Sequence, residues 1–187
     1  MKKAAKLLLV VLAFAGVNNA AWGAGVSLTL KAGLFFPSDA LFRDVYKNVT
    51  AFGGELAVPL AGGLHLWAGA EYFGDKGILP VTMEVTKLRI VPVYAGLRYH
   101  FGTSSVRPYL GAAASYFLFK EENPIGRVSE SGVGFLGQGG LLFKIGGRVW
   151  LDVFMNYRAC TLKTDDVDPL EAKIGGISAG LGLVFRF

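Results

Sequence analysis

Apolar and mixed positions alternate with a period of two along eight segments of this chain. In the first segment, VSLTLKAGLFF, every second position from Val26 to Phe36 is apolar, whereas the positions between them include Ser27, Thr29 and Lys31. A period of two indicates β-strands, because successive side chains of a strand point to opposite faces. The eight segments are residues 26–36, 52–60, 64–73, 91–101, 107–118, 133–144, 149–158 and 177–187.

The apolar face carries no charged residue in any of these eight segments. A water-soluble β-sandwich would show the reverse, since its solvent-facing positions collect Lys, Glu and Thr. We therefore expect the apolar face to contact lipid and the mixed face to line a lumen. Because a closed sheet pairs all its backbone groups between strands, the pattern predicts an all-β fold, an eight-stranded antiparallel up-and-down transmembrane β-barrel.

The connections between the segments alternate in length, as they do in membrane barrels. Short connections fall at 61–63, 102–105 and 145–147, and longer, charged ones at 37–50, 74–86, 120–131 and 163–173. Short turns belong on the periplasmic side of such barrels and long loops outside. Aromatic residues at the strand ends predict two interfacial girdles, Tyr72, Tyr116 and Tyr157 at one level and Tyr99, Phe101, Phe143 and Phe187 at the other.

The alternation fails at one place. Lys87 and Arg89 share the parity of Val91 and Val93, which are expected to face lipid. A β-bulge near Pro92 would turn both cations inward, and a bulge tolerates a residue without a backbone N–H. The alternative is that both cations lie beyond the hydrocarbon and contact headgroup phosphates. We favour the bulge.

The N-terminal segment MKKAAKLLLVVLAFAGVNNAAWG has the three parts of a secretory signal peptide. Three lysines form its positive start, residues 7–14 form an apolar core, and small residues precede a cleavage point after Gly23. The core is shorter than the roughly 20 residues that a spanning helix needs. We expect residues 1–23 to be cleaved and residues 24–187 to form one barrel domain.

Composition supports an exported membrane protein, and most of the net positive charge of the chain lies in the predicted signal peptide. Hydrophobic residues make up 52% of the chain and charged residues 18%. Removal of the three signal-peptide lysines lowers the Lys and Arg count from 19 to 16, against 14 Asp and Glu. The mature chain is then nearly neutral, so nucleic-acid binding has no compositional support. The single Cys160 excludes an internal disulfide, and its role stays open.

The signal peptide, the eight alternating strands, the tight turns and the terminal GLGLVFRF together resemble the small outer-membrane β-barrel superfamily of OmpA/OmpX-type eight-stranded barrels. The resemblance covers residues 24–187. It implies a monomer in the cell outer membrane, in contact with outer-membrane lipid and lipopolysaccharide. In that family the barrel-assembly machinery reads an alternating apolar C-terminal strand that ends in Phe, and the resemblance assigns this role to Leu181, Leu183, Phe185 and Phe187.

The interior of an eight-stranded barrel is just wide enough for side chains to fill it. Charges shielded from water are costly unless they are paired, so we expect salt bridges to plug the lumen. The candidates are Lys31, Glu55, Glu71, Arg98, Arg107, Lys144, Asp152, Arg158 and Arg186. Six cations against three acids leave open an alternative, a narrow anion-favouring pore or a pocket for a small apolar molecule.

We expect no catalytic activity, no cofactor and no metal. Barrel enzymes of the outer membrane need a Ser, His and acid cluster near the outer mouth, whereas His65 and His100 adjoin the short turns. Two separated histidines and one cysteine do not form a metal site, and the acids of DDVDPLE lack the spacing of a calcium loop. The predicted function is a structural or interaction role in the cell envelope through the outer loops, with an unknown extracellular partner. The alternative is a transporter of small solutes.

Overall fold

The structure is a computed structural model of the 187-residue chain. It describes residues 25–39, 49–78, 85–123, 126–163 and 171–187. The predicted signal peptide, residues 1–23, lies outside the described residues. Among the described residues, no helix is long and apolar enough to cross a bilayer.

The described residues form eight β-strands that close into one barrel. The strands are β1 Ser27–Pro37, β2 Val49–Ala61, β3 Leu64–Ile78, β4 Val85–His100, β5 Val106–Asn123, β6 Gly126–Gly146, β7 Val149–Lys163 and β8 Glu171–Arg186. Each strand pairs antiparallel with its neighbours in sequence, and β8 pairs with β1 to close the sheet. The predicted fold class, an all-β, eight-stranded, up-and-down antiparallel barrel, is confirmed.

The strands are staggered, and the stagger sets their tilt. A circuit of paired residues that starts at Ser27 in β1 passes through Trp67, Ala113 and Arg158 and returns to β1 at Pro37. The circuit therefore closes ten residues further along the same strand, from position 27 to position 37. Closing a sheet with such a stagger tilts the strands by about 35–45° from the barrel axis. The resulting barrel is narrow, and its inward side chains meet in the centre.

The two ends of the barrel differ in their connections. We call the end with the β2–β3, β4–β5 and β6–β7 connections the turn end, and the opposite end the loop end. The β2–β3 turn consists of Gly62 and Gly63, both at positive φ (55° and 90°), the geometry that tight hairpins favour. Also at the turn end, the N–H of Phe187 donates to the carbonyl oxygen of Val26 (2.9 Å), and the N–H of Gly25 donates to that of Phe187 (3.0 Å). Phe187 is therefore part of the ladder that closes the barrel.

The two faces of the wall carry different side chains. Large apolar residues are exposed on the outer face of every strand, to the extent of 62% for Leu110 and 73% for Val133. Inward neighbours such as Lys31, Asp152 and Arg158 are buried. Such an apolar outer surface is suited to a hydrocarbon environment, because the backbone N–H and C=O groups are hydrogen-bonded between the strands.

Aromatic residues are exposed on the outer face near both ends of the barrel. The exposed ones include Tyr72, Tyr157, Tyr99, Phe101 and Phe187. Two others of the predicted girdles, Tyr116 and Phe143, are half-buried. Tyr99 and Phe101 form an edge-to-face pair with ring centroids 4.9 Å apart, which is a favourable aromatic geometry.

The β-bulge predicted near Pro92 is wrong. The β3–β4 register is the same on both sides of Pro92, with only a short gap in the pairing there. Proline has no N–H to donate, so the ladder loses a local contact without a shift, and β5 still pairs with Pro92. Because the parity is kept, Arg89 is exposed on the outer face and Ile90 is buried. The side chain of Lys87 lies outside the described residues.

All four long connections are shorter than predicted, and two of them are shorter by more than half. β3 continues to Ile78 and β4 begins at Val85, while β5 continues to Asn123 and β6 begins at Gly126. The β6–β7 pairing begins only at Gly134, so the first part of β6 extends beyond β7, whereas β5 stays paired with β4 as far as Glu122. The charged residues near the strand ends led to the prediction of longer loops. The backbone pairing of the strands continues through these charged residues.

Candidate functional site

The lumen is filled by three layers of inward side chains. At the loop end is an apolar layer formed by Phe35, Val49, Ala51, Phe73, Ile90, Phe117 and Cys160. The middle layer combines an apolar group, Ala57, Trp67, Tyr94, Ala113 and Leu136, with most of the buried charges. Towards the turn end lie Tyr109, Leu142, Trp150, Phe154 and Val184. The charges of the middle layer form the candidate site.

Glu55 is the centre of the middle layer. Its carboxylate accepts hydrogen bonds from Lys31 Nζ (2.7 Å) and Arg98 Nη2 (2.5 Å), both of which are also ion pairs. Tyr94 OH and Gln138 Nε2 donate to the same carboxylate, each at 2.9 Å. Charge-assisted hydrogen bonds are the strongest kind, and four of them compensate the burial of a side chain that is 1% exposed.

Glu71 forms a second centre on the neighbouring strand. Arg158 Nη2 lies 2.5 Å from Glu71 Oε1, and Asn156 Nδ2 donates to the same oxygen at 3.2 Å. Arg158 Nη1 also donates to Ser178 Oγ at 2.6 Å. Tyr94 OH lies 3.2 Å from Glu71 Oε1 as well as within reach of Glu55. Tyr94 therefore connects the two carboxylates.

Asp152 completes the charge balance. Its Oδ1 accepts a hydrogen bond from Tyr109 OH (2.9 Å), and its Oδ2 lies 3.8 Å from Lys31 Nζ. The middle layer thus contains three carboxylates and three cations, Lys31, Arg98 and Arg158, all of them buried. Buried charges are costly unless they are paired, and each of these six has an opposite charge within 3.8 Å. The pairing is not matched by complete hydrogen bonding, since Asp152 Oδ2, Arg98 Nε and Arg158 Nε have no hydrogen-bond partner among the described residues.

Aromatic rings cover the three cations. Arg98 lies over the rings of Trp67 (4.3 Å to the centroid) and Tyr109 (4.7 Å). Lys31 Nζ lies 4.2 Å from the centroid of Phe154, and Arg158 lies 5.1 Å from that of Phe73. Cation–π contacts strengthen when water is excluded. The rings therefore hold the cations in place and join the charged layer to the apolar layers on each side.

A glycine in the wall makes room for this arrangement. Gly69 faces the lumen on β3 and pairs with Glu55 on β2 and Tyr94 on β4. A Cβ at Gly69 would lie 2.9 Å from both Glu55 Cγ and a ring carbon of Tyr94. Close approach of neighbouring side chains is a common reason for glycine within a strand.

Three of the nine predicted lumen charges do not join the network. Lys144 lies beside a register shift in β6, between Lys144 and Gly146, and its side chain is exposed. Arg107 and Arg186 are half-buried near the turn end, where their guanidinium groups lie over the ring of Trp150. The prediction that these three cations belong to a paired plug is therefore corrected. The parity argument did not account for the bulge or for the access of water at the turn end.

The network also contains members that were not among the predicted site residues. Gln138, Asn156 and Ser178 donate or accept hydrogen bonds with the charged groups, and Tyr94 and Tyr109 donate to the carboxylates. Their parity already indicated that they face inward. The missing information was the level of each residue along the barrel axis, which requires the stagger between strands.

The two histidines lie together at the turn end. The rings of His65 and His100 stack with centroids 4.1 Å apart, and the His65 ring contacts the carbonyl oxygen of Gly63 (2.9 Å). Within the described part of the chain, no group of three or more His, Cys, Asp and Glu side chains could hold a metal ion.

The predicted assembly residues lie on the last strand. Leu181 and Leu183 are exposed on the outer face, Phe185 is half-buried, and Phe187 is exposed at the turn end. All four thus have the same parity and an outward orientation. Their proposed recognition by an assembly machinery remains a prediction.

Comparison with known proteins identifies the fold. No family model and no curated protein matches the sequence. Neisserial surface protein A has a similar structure, with a TM-score of 0.70, 15% identity, and coverage of 87% of this chain and 97% of that chain. Outer membrane protein OprG from Pseudomonas aeruginosa gives 0.63 with 16% identity, covering 88% of this chain and 96% of that one. The N-terminal β-barrel domain of Pseudomonas aeruginosa OprF gives 0.57 with 17% identity, covering 87% and 97%.

At these identities the similarity concerns the fold. The chain has the fold of the small eight-stranded outer-membrane β-barrels, as the sequence resemblance implied. The similarity says nothing about the lumen charges of this chain.

Proposed function

We propose that this chain is an integral outer-membrane barrel with a closed lumen, and that it serves the cell envelope as a structural or interaction protein through its loop end. One observation carries the proposal. The three carboxylates and three cations of the middle layer are paired across the barrel, and none of the six residues is more than 5% exposed. A layer of this kind fills the cross-section with fixed side chains.

The outer face supports the membrane location. Large apolar side chains are exposed on all eight strands, and water is a poor solvent for such a surface. The three similar folds include a protein described as an outer membrane protein of Pseudomonas aeruginosa. We expect the outer face of this chain to contact outer-membrane lipid and lipopolysaccharide, with the turn end in the periplasm.

The rival function, a narrow anion pore, loses its main support. It depended on an excess of inward cations, six against three acids. Arg107, Lys144 and Arg186 lie at the turn end, outside the middle layer, and the remaining three cations equal the acids in number. The apolar loop-end layer, with Phe73 and Phe117 at 1% and 2% exposure, would be a second barrier to an ion.

Single-channel recording in planar lipid bilayers tests the closed lumen. The refolded wild-type barrel is expected to give no discrete conductance steps. A Glu55→Ala/Arg98→Ala variant, which removes two long side chains from the middle layer, is expected to conduct more often than the wild type. Arg107→Gln is the matched control at the turn end and is expected to stay silent. Reproducible conductance steps of the wild type would show that the lumen is open and would favour the pore.

The C-terminal strand is proposed as the assembly signal. Leu181, Leu183, Phe185 and Phe187 share the outer face of β8, where a recognition partner could reach them before the barrel closes. Deletion of Phe187 is expected to leave the chain in the periplasm or degraded, as seen by membrane fractionation and by the heat-dependent gel mobility of folded barrels. Normal membrane levels of the deletion variant would contradict this role.

A further inference from the structure

The turn end of the barrel carries an excess of cationic side chains. Within the described residues, four cations at this end have no ion pair with a carboxylate, namely Arg107, Lys144, Arg148 and Arg186. The segments that form this end contain no Asp or Glu, as the sequence shows for residues 61–65, 99–109, 142–151 and 184–187. The charge here is therefore unlike that of the middle layer, where cations and acids are equal in number.

Two of these cations converge on one aromatic ring. The guanidinium carbons of Arg107 and Arg186 lie 4.6 and 5.1 Å from the centroid of the Trp150 ring, and Trp150 is buried. Arg107 is held further by the turn, because its Nε donates to the carbonyl oxygen of Ser104 and its Nη2 to that of Thr103, both at 3.0 Å. Two like charges near one ring repel each other. An anion bound beside them would offset that repulsion.

An unpartnered histidine lies in the same mouth. His100 is only 6% exposed, yet neither of its ring nitrogens has a hydrogen-bond partner among the described residues. A buried polar group without a partner is costly. The His100 ring, on which His65 stacks, lies 5.7 Å from the ring of Tyr109, and Tyr109 packs in the same cluster as Trp150. The histidine pair and the arginine pair therefore belong to one region.

We propose that this mouth binds a tetrahedral oxyanion, a phosphate group or sulfate, between Arg107 and Arg186, with His100 as a further donor. Arg107 Nη1, which donates to neither turn carbonyl, and the guanidinium group of Arg186 present charged N–H donors that match the oxygens of such an anion. Both arginines are half-buried, so a ligand can reach them from solution. The ligand is free inorganic phosphate or sulfate, or the phosphate of a lipid headgroup, since all of them present the same oxygens. This site is separate from the closed middle layer.

The histidines provide a direct probe of the site. The chain contains two histidines, and both lie in this mouth. Inorganic phosphate is titrated, at constant pH and ionic strength, into the refolded full-length barrel in micelles of a maltoside detergent, which contains no phosphate. The imidazole ¹H–¹⁵N signals of His65 and His100 are expected to shift along one saturable curve. Sodium chloride at equal ionic strength is expected to leave them in place.

Paired variants separate a built site from general positive charge. Arg107→Gln/Arg186→Gln is expected to weaken phosphate binding by about tenfold or more, since it removes charged hydrogen-bond donors. Lys144→Gln/Arg148→Gln removes the same net charge from exposed positions at the same end, and is expected to change the affinity by less than about twofold. Folding of each variant is verified by heat-dependent gel mobility.

Nanodiscs that contain phosphatidylglycerol identify the source of the anion. If the ligand is a headgroup, the histidine signals start at their bound positions in these discs and added phosphate has no effect. If the ligand is a free anion, the titration is the same in the phosphate-free micelles and in these discs. The proposal is overturned if phosphate gives no saturable shift and phosphatidylglycerol leaves the signals unmoved, or if the Lys144/Arg148 control weakens binding as much as the Arg107/Arg186 variant. Should the arginine variant fail to fold, the comparison of phosphate with chloride on the wild type decides.

Discussion

The middle of the lumen and its turn end contain the same kinds of cation in opposite surroundings. In the middle, Lys31, Arg98 and Arg158 are buried and face three carboxylates. At the turn end, Arg107 and Arg186 are half-buried and pair with no carboxylate among the described residues. A cation without water needs an opposite charge, whereas a cation that reaches water keeps its hydration and can stack on an indole. The charged side chains balance in the buried middle layer, whereas cationic side chains are in excess at the turn end, where they are partly exposed.

Replacing Glu55 by Ala should have the largest effect on this comparison. The variant leaves Lys31 and Arg98 buried without their carboxylate. Breaking a buried ion pair from one side costs about 3–5 kcal/mol, so the free energy of unfolding should fall by about that amount. Urea unfolding of the barrel in lipid vesicles, followed by the fluorescence of Trp67 and Trp150, measures the loss.

The matched control for that variant lies at the turn end. Arg107→Gln also removes one charged side chain that contacts an aromatic ring, but the hydrogen-bond partners of Arg107 are turn carbonyls and not a buried carboxylate. We expect a loss of about 1 kcal/mol, because no buried charge is left unpaired. Equal losses for the two variants would show that burial does not distinguish the two regions.

A charge on the outer face should have the next largest effect. Val153 is exposed on the outer face of β7, between the turn end at Val149 and the aromatic Tyr157. Arg placed at the middle of a membrane barrel costs about 2–4 kcal/mol, but only about 0–1 kcal/mol near the interface. Val153→Arg should therefore lose more stability in the same unfolding experiment than Val149→Arg. If lipid does not surround the outer face, the two variants will be equally stable.

The alternation of side chains was enough to predict the barrel. Each strand repeats one rule, apolar outside and mixed inside, and this rule depends only on the period of two. It placed Glu55, Glu71 and Asp152 inside the lumen, and the structure has them buried there. Parity says which face a side chain is on, but not its level along the axis. Which cation meets which acid depends on the ten-residue stagger, and a single sequence does not reveal that value.

The predictions failed where the local chain departs from the regular ladder. Lys144 was expected inside, but the register shift in β6 interrupts the parity beside the turn. At Pro92 the reverse happened, since a bulge was expected and the register continued. The charges at 120–131 were taken to end β5, although the strand continues to Asn123. Charged residues in the sequence are therefore a poor marker of strand ends, which are set by the backbone pairing.

Within the middle layer, Asp152 should matter less than Glu55. Asp152 has one hydrogen bond, from Tyr109 OH, and a distant cation, Lys31 Nζ at 3.8 Å. Asn at this position keeps an oxygen for Tyr109, and Lys31 keeps Glu55 at 2.7 Å. We expect Asp152→Asn to cost about 1 kcal/mol in the same unfolding assay, as for one ordinary hydrogen bond.

The equally conservative change Glu55→Gln provides the comparison for that variant. It takes the negative charge from four donors at once, so we expect a loss of about 2 kcal/mol or more. Because Lys31 contacts both acids, the double variant should deviate from the sum of the two single losses by more than about 0.5 kcal/mol. If the two single variants lose equal stability and the double variant loses their sum, the stability of the layer depends only on its total charge. Unequal, coupled losses would mean that individual contacts around Glu55 hold it together, as the geometry of its four donors requires.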